Sequence, residues 1–207
     1  MKQARRAEVL RYLGYVGQPI DAAFEGQLAR AMALCEAVSR PRAIHGLFAE
    51  PSLQLPSAKK TIIFAATLGH EIGREIDAWQ RRDMSFAAML DAAATEMIER
   101  LCDEIEAEIG ASLEGLFAAP RVSPGYGELP LALNETILHM LDAGRKIGLY
   151  ATPSLMLAPQ KSVTAMVGLH ATPVHNGRGC EVCANQGSCP YRHIPNREED
   201  TPNHETV

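Results

Sequence analysis

In Ser162-Val163-Thr164-Ala165-Met166-Val167-Gly168-Leu169, the residues Val163, Ala165, Val167 and Leu169 alternate with Ser162, Thr164, Met166 and Gly168. A period of two sends successive side chains to opposite faces of a strand. A second run, Lys60 to Leu68 around Thr61-Ile62-Ile63-Phe64, is rich in β-branched and apolar residues and also reads as a strand, as does Arg42 to Phe48. Strands therefore occur in both halves of the chain. They do not alternate regularly with crossover helices, and no Gly-rich turn joins a strand to a helix, so a doubly wound parallel sheet is not indicated. The expected fold class is α+β: an antiparallel or mixed twisted sheet with long amphipathic helices.

The helices are read from spacing and caps. Asp21 is placed to cap a helix running to about Val38, with Phe24, Leu28, Met32 and Cys35 at helical intervals and Arg40-Pro41 stopping it. From Asp83 or Ser85 a long helix begins, its apolar stripe being Phe86, Leu90, Ala93, Met97, Leu101, Ile105 and Ile109, with Gly110 marking its end or a kink. Glu96, Glu99, Arg100, Asp103, Glu104 and Glu106 lie off that stripe and are expected to form a solvated face. A Gly- and Pro-dense loop, 120–130, precedes a helix from about Leu131 to Ala143, with Gly144 at its C-terminal cap. Glu8 to Tyr15 fits either a short strand or a first helix. The expected organisation is a domain over 1–170, a cysteine-rich loop over 171–194 and a disordered tail over 195–207 that is nearly devoid of apolar residues.

At 207 residues, 46% hydrophobic and 22% charged, the chain can bury a proper core. Its formal net charge of −5, with 20 basic residues scattered among acids, gives no footprint for nucleic acid. No apolar run reaches the roughly 18 residues of a membrane span. Met1 to Arg6 is basic, but Glu8, Arg11, Gly14 and Gly17 interrupt any secretory apolar segment, so a cytoplasmic protein is expected.

Chemistry concentrates in Arg121-Val122-Ser123-Pro124-Gly125-Tyr126. Arginine offers a planar fork for a carboxylate, amides beside a glycine can donate to a ligand, and tyrosine supplies a ring face and a hydroxyl. The same residues also suit a structural turn whose arginine pairs with a nearby acid. With the downstream run Ser154-Leu155-Met156-Leu157-Ala158-Pro159, continuing to Ser162-Val163, this turn resembles the S-adenosylmethionine-binding reactivation (activation) domain of cobalamin-dependent methionine synthase, here in stand-alone form. The resemblance covers roughly Ile62 to Leu169. It implies that Arg121 holds the methionyl carboxylate, that backbone at Ser123 and Gly125 contacts the ligand, that Tyr126 packs near the adenosyl group, and that Glu99 pairs with the methionyl ammonium. It implies no acid or base catalyst in this chain. It further implies that cobalamin comes from a partner, a corrinoid-binding protein or methionine synthase core subunit, together with an electron donor. The family has an aromatic residue after the Ser-Val run where this sequence has Met166 and Val167, and the family's N-terminal aspartate has no counterpart beyond Asp21.

Cys180-x-x-Cys183 followed by Cys189 lies outside that resemblance. Three thiols so close can converge on a soft metal: zinc completed by His175 or His193, or an iron-sulfur cluster that ordinarily wants four cysteines. A metal-binding adaptor subunit of a corrinoid methyltransferase is the alternative reading this run supports, and unmetallated surface thiols stay open too. His70-Glu71 begins like a zinc-protease helix, but Arg74 stands where the second histidine belongs.

Overall fold

The computed structural model of the protein describes residues 4–48, 55, 58–113, 115–126, 129–174 and 187. Met1–Asn176 clusters as one compact unit and Gly177–Val207 as another, of which only Gly187 is described. Of the cysteine-rich loop expected over 171–194 only 171–174 and Gly187 are described, so Cys180, Cys183 and Cys189, like the tail expected over 195–207, lie outside the described residues.

The chain begins with α1 (Arg6–Tyr12) and α2 (Ala22–Val38), followed by β1 (Arg42–Phe48) and β2 (Lys60–Thr67). Two helices follow, α3 (His70–Gln80) and α4 (Met84–Ala111), then β3 (Phe117–Ala118). After the turn come α5 (Leu133–Leu141), α6 (Ala143–Ile147), the short strands β4 (Tyr150–Ala151) and β5 (Leu157–Ala158), and β6 (Ser162–His170). The sheet order is β1-β2-β6-β3 with every neighbouring pair antiparallel, and β4 pairs with β5 as a separate hairpin. The fold is α+β, with an antiparallel sheet.

The period of two in β2 and β6 serves two buried faces. Ile62, Phe64, Ala66, Ala165, Val167 and Leu169 pack with α1 to α4, while Ile63, Ala65 and Met166 pack against Ile137, Leu138, Leu141, Ile147 and Leu149. Phe64 and Met166, from opposite faces, are almost wholly removed from water; burial on this scale contributes about 1.5–3 kcal/mol per large side chain. The register Ile63↔Met166 and Phe64↔Ala165 follows, because a slip of one residue would exchange the two faces.

Asp21 Oδ1 accepts from Phe24 N at 2.7 Å and Asp83 Oδ1 from Phe86 N at 3.0 Å, so both expected helix starts carry side-chain caps. Glu8 to Tyr15 resolves as helix rather than strand, through Tyr12. Two expectations need correction. The solvated acidic face of α4 is not one: Glu96 is buried and bonded to Arg5, and Glu99, Asp103 and Glu106 converge on a single arginine. The expected 131–143 helix stops at Leu141, where Asp142 takes a left-handed conformation (φ 53°). Gly144 is therefore no cap; it lies inside α6, where a Cβ would come 2.6 Å from the Tyr150 ring, whose hydroxyl donates to its carbonyl.

Candidate functional site

Arg121 follows β3 and is positioned by its neighbour. Val122 bridges to Met166 through two backbone hydrogen bonds, 3.0 and 2.8 Å, which fix the start of the turn against β6. The preceding residue then faces α4. There Arg121 Nη2 donates to Glu99 Oε2 at 2.7 Å, Nη1 to Asp103 Oδ1 at 2.8 Å and to Glu106 Oε2 at 2.6 Å, and the Arg121 amide to Glu106 Oε1 at 3.2 Å. Glu99, Asp103 and Glu106 sit at i, i+4 and i+7, the spacing that aligns side chains on one helix face. Partial burial opposes the Arg121 charge, but the Asp103 hydrogen bond, the Glu106 charge and the Glu99 hydrogen bond outweigh it and hold its pKa above the ordinary range. The single guanidinium thus gathers three carboxylates of one helix face.

Beneath this cluster lies Cys102, whose thiol is pushed up to about 12 by burial and is chemically inert at neutral pH. Beside it packs α1. Arg5 Nε donates to Glu96 Oε1 at 2.8 Å, one turn before Glu99, and burial followed by the Glu99 charge raises the Tyr12 hydroxyl above its usual value. Arg11 pairs with Glu8 and lies 4.7 Å over the Tyr12 ring.

The remainder of the turn leads away toward α5. Gly125 adopts φ 86°, a left-handed conformation open to glycine, and its hydrogen-bonded closure runs from Gly125 N to Leu129 O (2.9 Å) and from Tyr126 N to Ser123 O (3.2 Å). The amides beside Gly125, read from sequence as free donors, are thus engaged within the turn. Tyr126 stands 76% exposed.

The Ser154–Pro159 run supplies the tip and the second strand of the β4–β5 hairpin. Thr152 closes its tip by accepting from Met156 N at 3.2 Å and bonding Ser154 Oγ at 2.9 Å. Two anchors hold the hairpin to the body. The buried Asn134 at the start of α5 donates to Leu155 O at 2.9 Å and accepts from Thr164, and Ser162 Oγ donates to Pro159 O at 2.7 Å. Lys161 ties the same segment to α4 through Asp91 (2.9 Å) and Thr95 (2.8 Å). Leu131, which would lie 3.1 Å from a Cβ at Gly125, brings the turn against the start of α5.

Thus the structure brings Arg121 and Glu99 into direct contact, with Ser123, Gly125 and Tyr126 following in the same turn. Asp21 does not join them; it caps α2. Sequence reasoning missed Asp103, Glu106 and Tyr12. The i, i+4, i+7 acids were visible, but only the fold shows what they face. A hollow of about 320 Å³ between α5 and β4, lined by Glu135, His139, Asp142 and Tyr150, contains none of the expected ligand residues. Among the described residues no group of three His, Cys, Asp or Glu could hold a metal, and no helix is long and apolar enough to cross a membrane. His70 and Arg74 lie on α3, so the abortive zinc motif is helical yet lacks its second ligand.

No family model matches this sequence, and no curated protein matches it either. Among solved structures the chain is similar to "Crystal Structure of the MetH Reactivation Domain bound to AdoHcy", with a TM-score of 0.57 and coverage of 84% of this chain and 79% of that one. The fold is that of the reactivation domain. At 16% identity the likeness is one of fold, and the function of the Arg121 turn must be argued from its own chemistry.

Proposed function

We propose that the protein binds S-adenosylmethionine at the Arg121 turn and presents its methyl group to the cobalamin of a corrinoid partner, reactivating a cobalamin-dependent methyltransferase such as methionine synthase. The observation that carries this reading is the Arg121–Glu99 pair at the foot of an Arg-x-x-Pro-Gly-Tyr turn, within a reactivation-domain fold. A cation and an anion held in contact are complementary to the carboxylate and ammonium of an amino acid. The ligand enters by exchange: its carboxylate takes the Arg121 fork and its ammonium takes Glu99, so each ion pair broken is replaced. Asp103 and Glu106 keep the guanidinium in place meanwhile.

Because Gly125 N and Ser123 O already close the turn, Ser123 and Gly125 would meet the ligand through their other backbone groups, and the exposed Tyr126 ring would stack on the adenosyl group. In methyl transfer from a sulfonium to reduced cobalamin the carbon–sulfur bond breaks, sulfur keeps the electron pair, and a cobalt–carbon bond forms. No proton moves, so the step calls for no general acid or base. The task of the chain is to hold the sulfonium with its methyl facing outward. The electron that maintains reduced cobalamin comes from a separate donor.

The test is methyl transfer from S-adenosylmethionine to chemically reduced free cobalamin, followed anoxically by the appearance of the methylcobalamin spectrum. A rate above that of the protein-free mixture, lost in Arg121→Ala, supports the proposal. A rate equal to the protein-free mixture counts against the methyl-transfer role.

A further inference from the structure

The direction of the backbone groups at the sheet's edge follows from one pair of hydrogen bonds. Met166 spends its N–H and C=O on Val122, toward β3, so in the register Ile63↔Met166 neither group faces β2. Backbone groups along an antiparallel strand point alternately to its two neighbours. Ile62 and Phe64 therefore bond β6, and Ile63 and Ala65 bond β1. Through the register Ile63↔Gly46 and Ala65↔Ile44, it is Gly46 and Ile44 whose groups turn inward. Ala43, His45 and Leu47 turn theirs outward from the end of the order β1-β2-β6-β3, and among the described residues those groups have no partner.

Sheets blunt such an edge with lysine, proline, a bulge or a covering element. The opposite edge is blunted, since β3 is two residues long. β1 runs seven residues in unbroken register, contains no lysine, and has proline only at Pro41, before its first residue. The side chains of Ala43, His45 and Leu47 lie on the sheet face that packs with α1 to α4, where His45 is the register partner of Phe64. All three are nonetheless exposed, Leu47 by 55%.

We infer that the outer edge of β1 pairs antiparallel with the same edge of a second copy, joining two sheets into one. A two-fold axis at His45 uses every outward group: the two His45 residues exchange hydrogen bonds with each other, and Ala43 of each copy exchanges with Leu47 of the other. Small then stands opposite large. On the other face the exposed Arg42 cation meets the ring of Phe48, a complementary pair, whereas a parallel copy in register sets Arg42 beside Arg42. A single added strand buries less than the roughly 1,600 Å² of a standard interface, so the dimer forms reversibly with concentration. The Arg121 turn follows β3, at the far edge of the sheet, and pairing through β1 leaves it open.

The test is sedimentation of the full chain from about 1 µM to about 1 mM, with amide exchange at both ends of that range. A thiol reductant keeps cysteine cross-links from contributing. The expected result is a mass rising from one chain to two, with exchange at Ala43, His45 and Leu47 slowing as concentration rises. Ile44 and Gly46, bonded to β2 in either state, should not change. Leu47→Lys alters an exposed side chain and keeps the β1–β2 bonds; losing its apolar burial between copies should raise the dissociation constant at least about tenfold. A single-chain mass throughout overturns the inference. So does a dimer in which the three outward amides exchange as fast as in the monomer, a result read from the wild type whether or not the variant folds, and so does a folded Leu47→Lys protein that dimerises as the wild type does.

Discussion

Arg121 and Glu99, 22 residues apart in sequence, are ion-paired at 2.7 Å, so the two groups proposed for opposite ends of a ligand's amino-acid moiety are in direct contact with each other. Glu99 is 40% exposed, and Arg121 keeps Asp103 and Glu106 when it is removed. Glu99→Gln should therefore cost less than about 1 kcal/mol of stability. The same substitution should weaken S-adenosylmethionine binding about tenfold, because a charged partner for the ammonium is worth on the order of 1.5 kcal/mol. Denaturant melts and titration of the one variant check both halves.

The Arg5–Glu96 pair is of a different kind. Glu96 is 1% exposed and its Oε2 has no hydrogen-bond partner among the described residues, while its Oε1 accepts from Arg5. Arg5→Ala should lower stability by about 1–3 kcal/mol, less than for a fully buried pair because Arg5 itself is half exposed. Adding Glu96→Met to that variant should restore most of the loss, since no charge is then left buried. Urea midpoints of the single and double variants decide this.

Asn134 links three elements: its amide nitrogen serves Leu155 in the hairpin and its oxygen serves Thr164 on β6. Asn134→Ala leaves the buried Thr164 hydroxyl without that partner and frees the hairpin, an expected cost of about 2 kcal/mol. Asn134→Asp keeps the acceptor for Thr164 but replaces the donor to Leu155 O with a buried carboxylate oxygen. Hydrogen exchange at the 152–156 tip should rise in both variants, while the strand amides of β6 loosen only in the alanine variant.

Burial raises the thiol of Cys35 to about 11 and that of Cys102 to about 12. In the unfolded chain both ionise near their ordinary value of 9.0, so above that pH the unfolded state binds fewer protons than the folded one. Stability must then fall as pH rises, from about 9 to about 11 on account of Cys35 and to about 12 on account of Cys102. Between pH 8 and pH 10 Cys102→Ala should lose about 1 kcal/mol less than the wild type, whatever its offset at neutral pH. Melts at the two pH values supply the difference.

Most of the fold was legible because its signals are local. The apolar stripe of α4, the Asp21 cap of α2 and the alternation of β6 each lie within one element. Helix α3 escaped notice because it carries only two buried positions, Ile72 and Ile76, too short a pattern to stand out. The end of α5 escaped because a non-glycine residue, Asp142, adopts the left-handed conformation there. In the site, the Arg121 turn was visible as a motif, but its acids were not recognisable as partners. Glu96 finds Arg5 across 91 residues, and Asp103 finds Arg121 across 18; neither distance leaves a trace in helical periodicity. The cysteines at 180, 183 and 189 speak through spacing alone.

The most direct test of the account is calorimetric titration of anoxically purified protein with S-adenosylmethionine, in parallel with Arg121→Ala. That variant should remain folded, since its three former carboxylate partners reach solvent to differing extents, at a cost of about 1–3 kcal/mol. The account predicts saturable binding near one ligand per chain that vanishes in the variant. Equal binding by both proteins, or none by the folded wild type, would contradict it.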